Sequence, residues 1–148
     1  MRIKLATVLL AGIALFSIAF AANAAISLDS VLVEINSSAW SDFGNFRTEI
    51  SLGFNIPAPR VEYYFTEYRM TPADIYMAAE LSYVVGIPVE RVVQVYRVHR
   101  RRGWGYVAGV MGVKPGSREF MRIKERAYDF HGKMKHRGKK KRHGWDGD

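Results

Sequence analysis

The sequence predicts a small, mainly α-helical protein with one folded domain, and three observations carry that expectation. Its centre holds two segments, 72–86 and 88–103, each opened by proline and closed by glycine. Proline is tolerated in the first helical turn and glycine is favoured just past the last, so this order marks helices with both ends defined. Apolar residues recur every three or four positions through both segments, as one face of a helix requires. At 148 residues the chain suits one domain with its own core, and without cysteine it can build neither a disulfide framework nor a thiolate metal site.

Residues 1–24 read as an export signal. Arg2 and Lys4 precede an apolar run from Leu5 to Ala22, and Ala22-Asn23-Ala24 supplies the small-x-small pattern that a signal peptidase accepts. The run is also about long enough to span a bilayer uncleaved; Asn23 and the alanine-rich end favour cleavage. The mature chain is then expected to begin at Ala25, to have no membrane span, and to act in the periplasm or outside the cell.

Residues 25–36 alternate around Val31, Val33 and Ile35, the pattern of a short N-terminal strand or hairpin arm, although a helix is compatible with the same stretch. After a break at Ser37-Ser38, the spacing of Phe43, Phe46, Ile50 and Phe54 predicts a helix over 41–53. A competing alternation through Ile50, Leu52, Phe54 and Ile56 would suit a strand. Pro57 and Pro59 end either one. Thr71-Pro72-Ala73-Asp74 then opens the central helix with a hydroxyl cap, a first-turn proline and a first-turn acid. Ile75, Ala79 and Tyr83 share one face and Met77, Leu81 and Val84 another, and a helix apolar on two faces is a buried one. In the next helix Val89, Val92, Val93 and Tyr96 point inward, and Glu90, Arg91, Arg97 and Arg100 outward.

A short helix follows from Trp104 to Met111, ended by Gly112. Pro115-Gly116 turns the chain, and Ser117 opens a last helix through about Phe130, with Phe120, Ile123, Ala127 and Phe130 inward. From Gly132 onward only Met134 and Trp145 are large and apolar, so 132–148 is expected to be a disordered basic tail and 25–131 the helical domain.

Charge is distributed unevenly. The chain carries +8 in all, yet residues 25–90 hold three bases against nine acids, and residues 91–148 seventeen bases against five acids. The expected binding residues therefore lie in the second half: Arg97, Arg100, Arg101 and Arg102 beside Trp104 and Tyr106, and Lys133, Lys135, Arg137, Lys139, Lys140, Lys141 and Arg142 in the tail. Clustered guanidiniums next to aromatic rings suit anionic or planar ligands through charge-assisted hydrogen bonds and stacking. The expected partner is an anionic polymer: lipopolysaccharide, acidic polysaccharide or extracellular nucleic acid.

Gly103-Trp104-Gly105-Tyr106-Val107-Ala108, Gly112-Val113-Lys114-Pro115-Gly116-Ser117 and Phe120 together form a GWGxxAxxxGxKPGSxxF block. This block resembles one found in a family of small exported bacterial proteins, and with the TPADIYMA segment and the helix after Pro88 the resemblance covers about residues 43–124. It implies export and a compact domain and brings no activity with it. Read from its residues alone, the block keeps the fold, with glycines at backbone positions of positive φ or close approach and Trp104 packed among them.

Other constellations give weaker signals. Trp104 to Met121 has the outline of a helix-turn-helix, with Val107, Met111, Val113 and Met121 inward, but Arg118 occupies an inward position. His131, His136 and His143 stand among lysines at spacings that match no metal site, and His99 falls where a helix C-terminus favours a cation. Glu62 and Glu67 flank Tyr63, Tyr64 and Tyr68, a set compatible with carbohydrate chemistry but equally with salt bridges to Arg60 and Arg69. No nucleophile elbow, zinc-helix, phosphate-loop or dinucleotide signature is present. The expected protein is a non-enzymatic binder with no cofactor and no metal. A self-assembling protein that docks its acidic half on the basic half of the next copy is the alternative, and a helix-turn-helix-like nucleic-acid binder a third.

Overall fold

Seven α-helices and one 3₁₀ turn account for most of the chain in the computed structural model, which describes the backbone of residues 27–143 and side chains through residue 137. There is no strand among the described residues. The helices are α1 (Leu28–Ser41), α2 (Phe43–Phe54), α3 (Ala58–Thr66), α4 (Pro72–Val85), α5 (Val89–His99), α6 (Gly103–Val110) and α7 (Arg118–His143), with the 3₁₀ turn Arg100–Arg102 between α5 and α6. The export signal expected at 1–24 lies outside the described residues. No helix among those described is long and apolar enough to cross a membrane.

The stretch read as an N-terminal strand is helical. Ser27 caps α1 by accepting the Ser30 N–H at 3.1 Å, and Val31, Leu32, Ile35 and Ala39 form its buried stripe. Val33, which alternation would place beside Val31 and Ile35, is 66% exposed. The period is therefore 3.6, and the β-branched residues mimic a strand only over a few positions. α2 forms where helical spacing predicts it, with Phe46 and Ile50 buried and Leu52 exposed. α3 has no counterpart in the sequence reading. α2 ends at Phe54 with Asn55 in the left-handed region (φ 54°), and Pro57 and Pro59, expected to end it, open α3, because neither the N-cap nor the second helical position needs an intrahelical N–H. Val61 and Tyr64 then face the core.

α4 is the hub, packed against α1, α2, α3, α5 and α7. Its start is fully satisfied. Thr71 Oγ1 accepts the Asp74 N–H at 3.2 Å, Asp74 Oδ2 accepts the Thr71 N–H at 3.1 Å, and Asn36 Oδ1 reaches from α1 to accept the Ala73 N–H at 2.8 Å. Its end is Gly86 at φ 74°, where nothing crowds a Cβ and only the backbone angle selects glycine. Every residue of α4 through Leu81 except Asp74 is buried, whereas Tyr83, expected inward, is 61% exposed. α7 runs alongside α4 in the opposite sense, with Phe130 against Tyr76 (ring centroids 4.6 Å apart) and Arg126 against Glu80. Ile123, Ala127, Phe130 and Met134 make its buried stripe. The backbone of α7 continues through His143. The tail expectation for 144–148 lies outside the described residues.

Three tyrosines are held neutral by this packing. Burial, reinforced by the Glu90 carboxylate, pushes the Tyr64 phenol up to about 12. Burial likewise holds Tyr76 and Tyr96 above the ordinary phenol range, with Glu80 and Asp74 adding to it. An acid whose pKa is raised by folding contributes stability that is intact below its unfolded value, about 10 for tyrosine, and is lost as pH climbs through the folded one. Denaturation titrations are therefore expected to show stability falling steeply from about pH 10 toward 12, with Tyr64→Phe flattening the decline. A stability that is level across that window would contradict the packing of all three rings.

Candidate functional site

The basic edge expected around residues 97–106 is built by α5, the 3₁₀ turn and α6. α5 commits Val92, Val93 and Tyr96 to the core, which leaves Arg97 and Arg100, with Arg101 and Arg102 after them, in solvent. The 3₁₀ turn ends at Gly103, whose φ of 76° lets the chain reverse into α6. Trp104 lies immediately behind the arginines and points inward. It is 8% exposed, stacks on Tyr96 with centroids 4.5 Å apart, and donates from Nε1 to Asp74 Oδ1 at 2.9 Å. One carboxylate thus caps α4 through Oδ2 and anchors α6 through Oδ1.

That geometry takes Trp104 off the exposed edge and gives it the packing role, its ring stacked on Tyr96 and its N–H bonded to Asp74. Tyr106 is half-buried, with the Arg102 guanidinium 3.8 Å over its ring and His99 against it. Arg97 lies 4.0 Å over Tyr68. These cation–π contacts orient two guanidiniums without neutralising them. Among the described residues none of Arg97, Arg100, Arg101 and Arg102 forms an ion pair.

The bases of α7 are disposed differently. Arg137 pairs with Glu49 of α2, Arg126 with Glu80 of α4, and His131 Nε2 lies 3.8 Å from Glu34 Oε2 of α1, an ion pair when the imidazole is protonated. Lys133 lines a cleft described below and Lys135 is exposed. Lys139, Lys140, Lys141 and Arg142 belong to the end of α7, and their side chains lie outside the described residues. The structure therefore brings Arg97 and Arg100–Arg102 together and sets Arg137 apart as an intramolecular partner. Glu62, flagged with the tyrosine cluster, pairs with Arg47 at 2.8 Å.

A cleft of about 280 Å³ opens between α2, α4 and α7. Phe54, Tyr76 and Phe130 form its apolar wall, with Phe54 and Tyr76 edge-on at 5.9 Å. At its base lies Glu80, which is 0% exposed. Tyr76 donates to Glu80 Oε2 over a long 3.4 Å, while Oε1 is ion-paired with Arg126 Nε at 2.6 Å. Burial raises the Glu80 carboxyl above the ordinary range, and the Arg126 charge works against that rise. Arg126 itself is 41% exposed and rests 4.3 Å over the Tyr83 ring. Sequence reasoning passed over Glu80. Its signal was a single acid inside an otherwise apolar helical run, MAAELSYVV, on a helix read as buried. Groups of metal-ligating residues that could hold an ion are absent among the described residues.

Two stability measurements test these placements. Trp104→Ala is expected to cost about 3–5 kcal/mol in chemical denaturation, the range for deleting a buried aromatic; a loss under about 1 kcal/mol would return the indole to the surface. Arg126→Met is expected to cost about 3 kcal/mol, near the low end for breaking a buried pair because the guanidinium is partly in water. Pairing it with Glu80→Leu should recover most of that loss, since it removes the stranded charge.

Comparison with protein-family models, with curated proteins and with solved structures finds no match to this chain.

Proposed function

We propose that this protein is an exported, non-enzymatic binder of an anionic polymer, and that Arg97, Arg100, Arg101 and Arg102 form its principal contact surface. The observation that carries the reading is that four neighbouring guanidiniums, Arg97 and Arg100–Arg102, are in solvent with no ion pair among the described residues, whereas Arg47, Arg60, Arg126 and Arg137 each have a carboxylate partner. α6 begins directly after them without a side-chain cap, so its first-turn N–H groups add to the positive potential at this edge. Planar guanidiniums held over Tyr68 and Tyr106 are pre-oriented for phosphate, sulfate or carboxylate groups. Lys135, and the lysines toward the end of α7, extend the surface in this reading. The polymer class is that of extracytoplasmic polyanions: lipopolysaccharide, acidic polysaccharide or extracellular nucleic acid.

Head-to-tail docking of the acidic half on the basic half of another copy is the weaker reading, because Glu34, Glu49, Glu62, Glu80 and Glu90 already face bases within the chain. A helix-turn-helix is disfavoured too. Seven residues separate α6 from α7, where that motif uses about three or four, and Met121 is exposed rather than inward.

Titration with heparin at low and moderate salt tests the proposal. Affinity is expected to fall linearly on a log–log scale as condensed counterions are released. Changing the four arginines to glutamine should lessen the slope by about one for each guanidinium that had paired with an anionic group of the polymer. A chain ending after Arg137 should retain the arginine-dependent part. Absence of binding at low salt, or a slope untouched by the four substitutions, would overturn the reading.

A further inference from the structure

The cleft above Glu80 is not used by the polyanion surface, and it has the features of a small-molecule site. Its volume, about 280 Å³, lies just below the usual span of such sites, so any occupant is small. It combines an apolar aromatic wall with a few convergent charged groups, the composition that fixes a ligand's orientation. The decisive group is Glu80. A charged carboxylate with no exposure is costly to bury, and a packed helix would more simply carry an apolar residue there. Its ionic partner among the described residues, Arg126, lines the cleft and is partly in water, so a ligand in the cleft meets the guanidinium first.

The charges at the cleft restrict what can enter. An amine without an acid group would displace Arg126 from Glu80 and leave the guanidinium without its anion. An anion would draw Arg126 off and leave Glu80 buried and unpaired, the more costly outcome. A molecule bearing both charges avoids each penalty, because its ammonium takes the place of the guanidinium at Glu80 while its carboxylate follows Arg126. Asp129, Lys133 and Glu49 also line the cleft, and Glu49 is already paired with Arg137. The apolar part of such a molecule would lie along Phe54, Tyr76 and Phe130. Gly53, on the α2 side, leaves room because nothing lies within 4 Å of where a Cβ would be.

We propose that this cleft binds a small zwitterion of the α-amino acid class with an apolar or aromatic side chain, its ammonium on Glu80 and its carboxylate on Arg126.

The experiment is calorimetric titration of the full chain with free L-leucine, L-methionine and L-phenylalanine. Each is run beside its amide, which lacks the carboxylate, and its des-amino acid, which lacks the ammonium. At least one amino acid is expected to bind, with both analogues weaker by about tenfold or more, the worth of a charge-assisted hydrogen bond. Glu80→Gln should weaken the amino acid by a similar factor. Gly53→Phe, which fills open space from an exposed helical position, should abolish binding while leaving helicity and heparin affinity unchanged. Three results would overturn the proposal: no binding by any of the three amino acids, equal binding of a des-amino analogue, or binding that survives Gly53→Phe. Because heparin affinity is read on the same variants, failure at the cleft is distinguishable from failure of the arginine edge.

Discussion

Because α4 is covered by five other helices, the polar groups it buries must be satisfied from within the protein, and the contacts that tie α1, α6 and α7 to it follow from that requirement. At its N-terminus the free N–H groups are met by Thr71, Asp74 and a side chain from α1, Asn36. Asp74 cannot serve as a cap alone, since its second oxygen is also drawn inward, and the Trp104 indole supplies the donor. Farther along, Glu80 brings α7 into register through Arg126, and Tyr76 contributes both a ring for Phe130 and a hydroxyl for Glu80. One buried helix thereby fixes the positions of α1, α6 and α7.

The same requirement divides the basic residues into two populations. α7 lies against helices drawn from the acidic part of the chain, so Arg126 and Arg137 become intramolecular partners of Glu80 and Glu49. The arginines after α5 sit on a reversal of the chain, exposed and in no ion pair among the described residues. Net charge along the sequence therefore overstates how much of the second half is available to a ligand, and the arginine edge is where the surplus is expressed.

The tryptophan behind that edge shows how a fold-keeping residue and an exposed basic edge can share one segment. Gly103 reverses the chain, Trp104 enters the core, and the reversal throws Arg100–Arg102 outward. Stability of the edge and its geometry are then coupled through a single indole, whereas its charge is independent of that indole. The Glu80 cleft is set apart from this arrangement, built from α2, α4 and α7 alone.

Punctuation made much of the fold legible in the sequence. Thr71-Pro72-Ala73-Asp74, Gly86, Pro88, Gly112 and Ser117 act through local backbone chemistry, so helices α4, α5, α6 and the start of α7 could be placed from residues alone. The same is true of the inward stripes Val89–Tyr96 and Ile123–Phe130. Where local signals were ambiguous, tertiary packing decided. Val31, Val33 and Ile35 fit a strand or a helix equally over so short a span, and only the presence of α4 and α7 to cover Val31, Ile35 and Ala39 selects the helix. The prolines at 57 and 59 could close one helix or open another, and burial of Val61 and Tyr64 required the second. The arginine edge was readable because charge runs are visible in sequence. For Trp104 the sequence offered both packing among its glycines and a place on that edge, and Tyr96 and Asp74, brought to it by folding, decide for packing. Glu80 lay beyond reach for the same reason: a lone glutamate in an apolar helix acquires its meaning only from the arginine that folding places against it from 46 residues downstream.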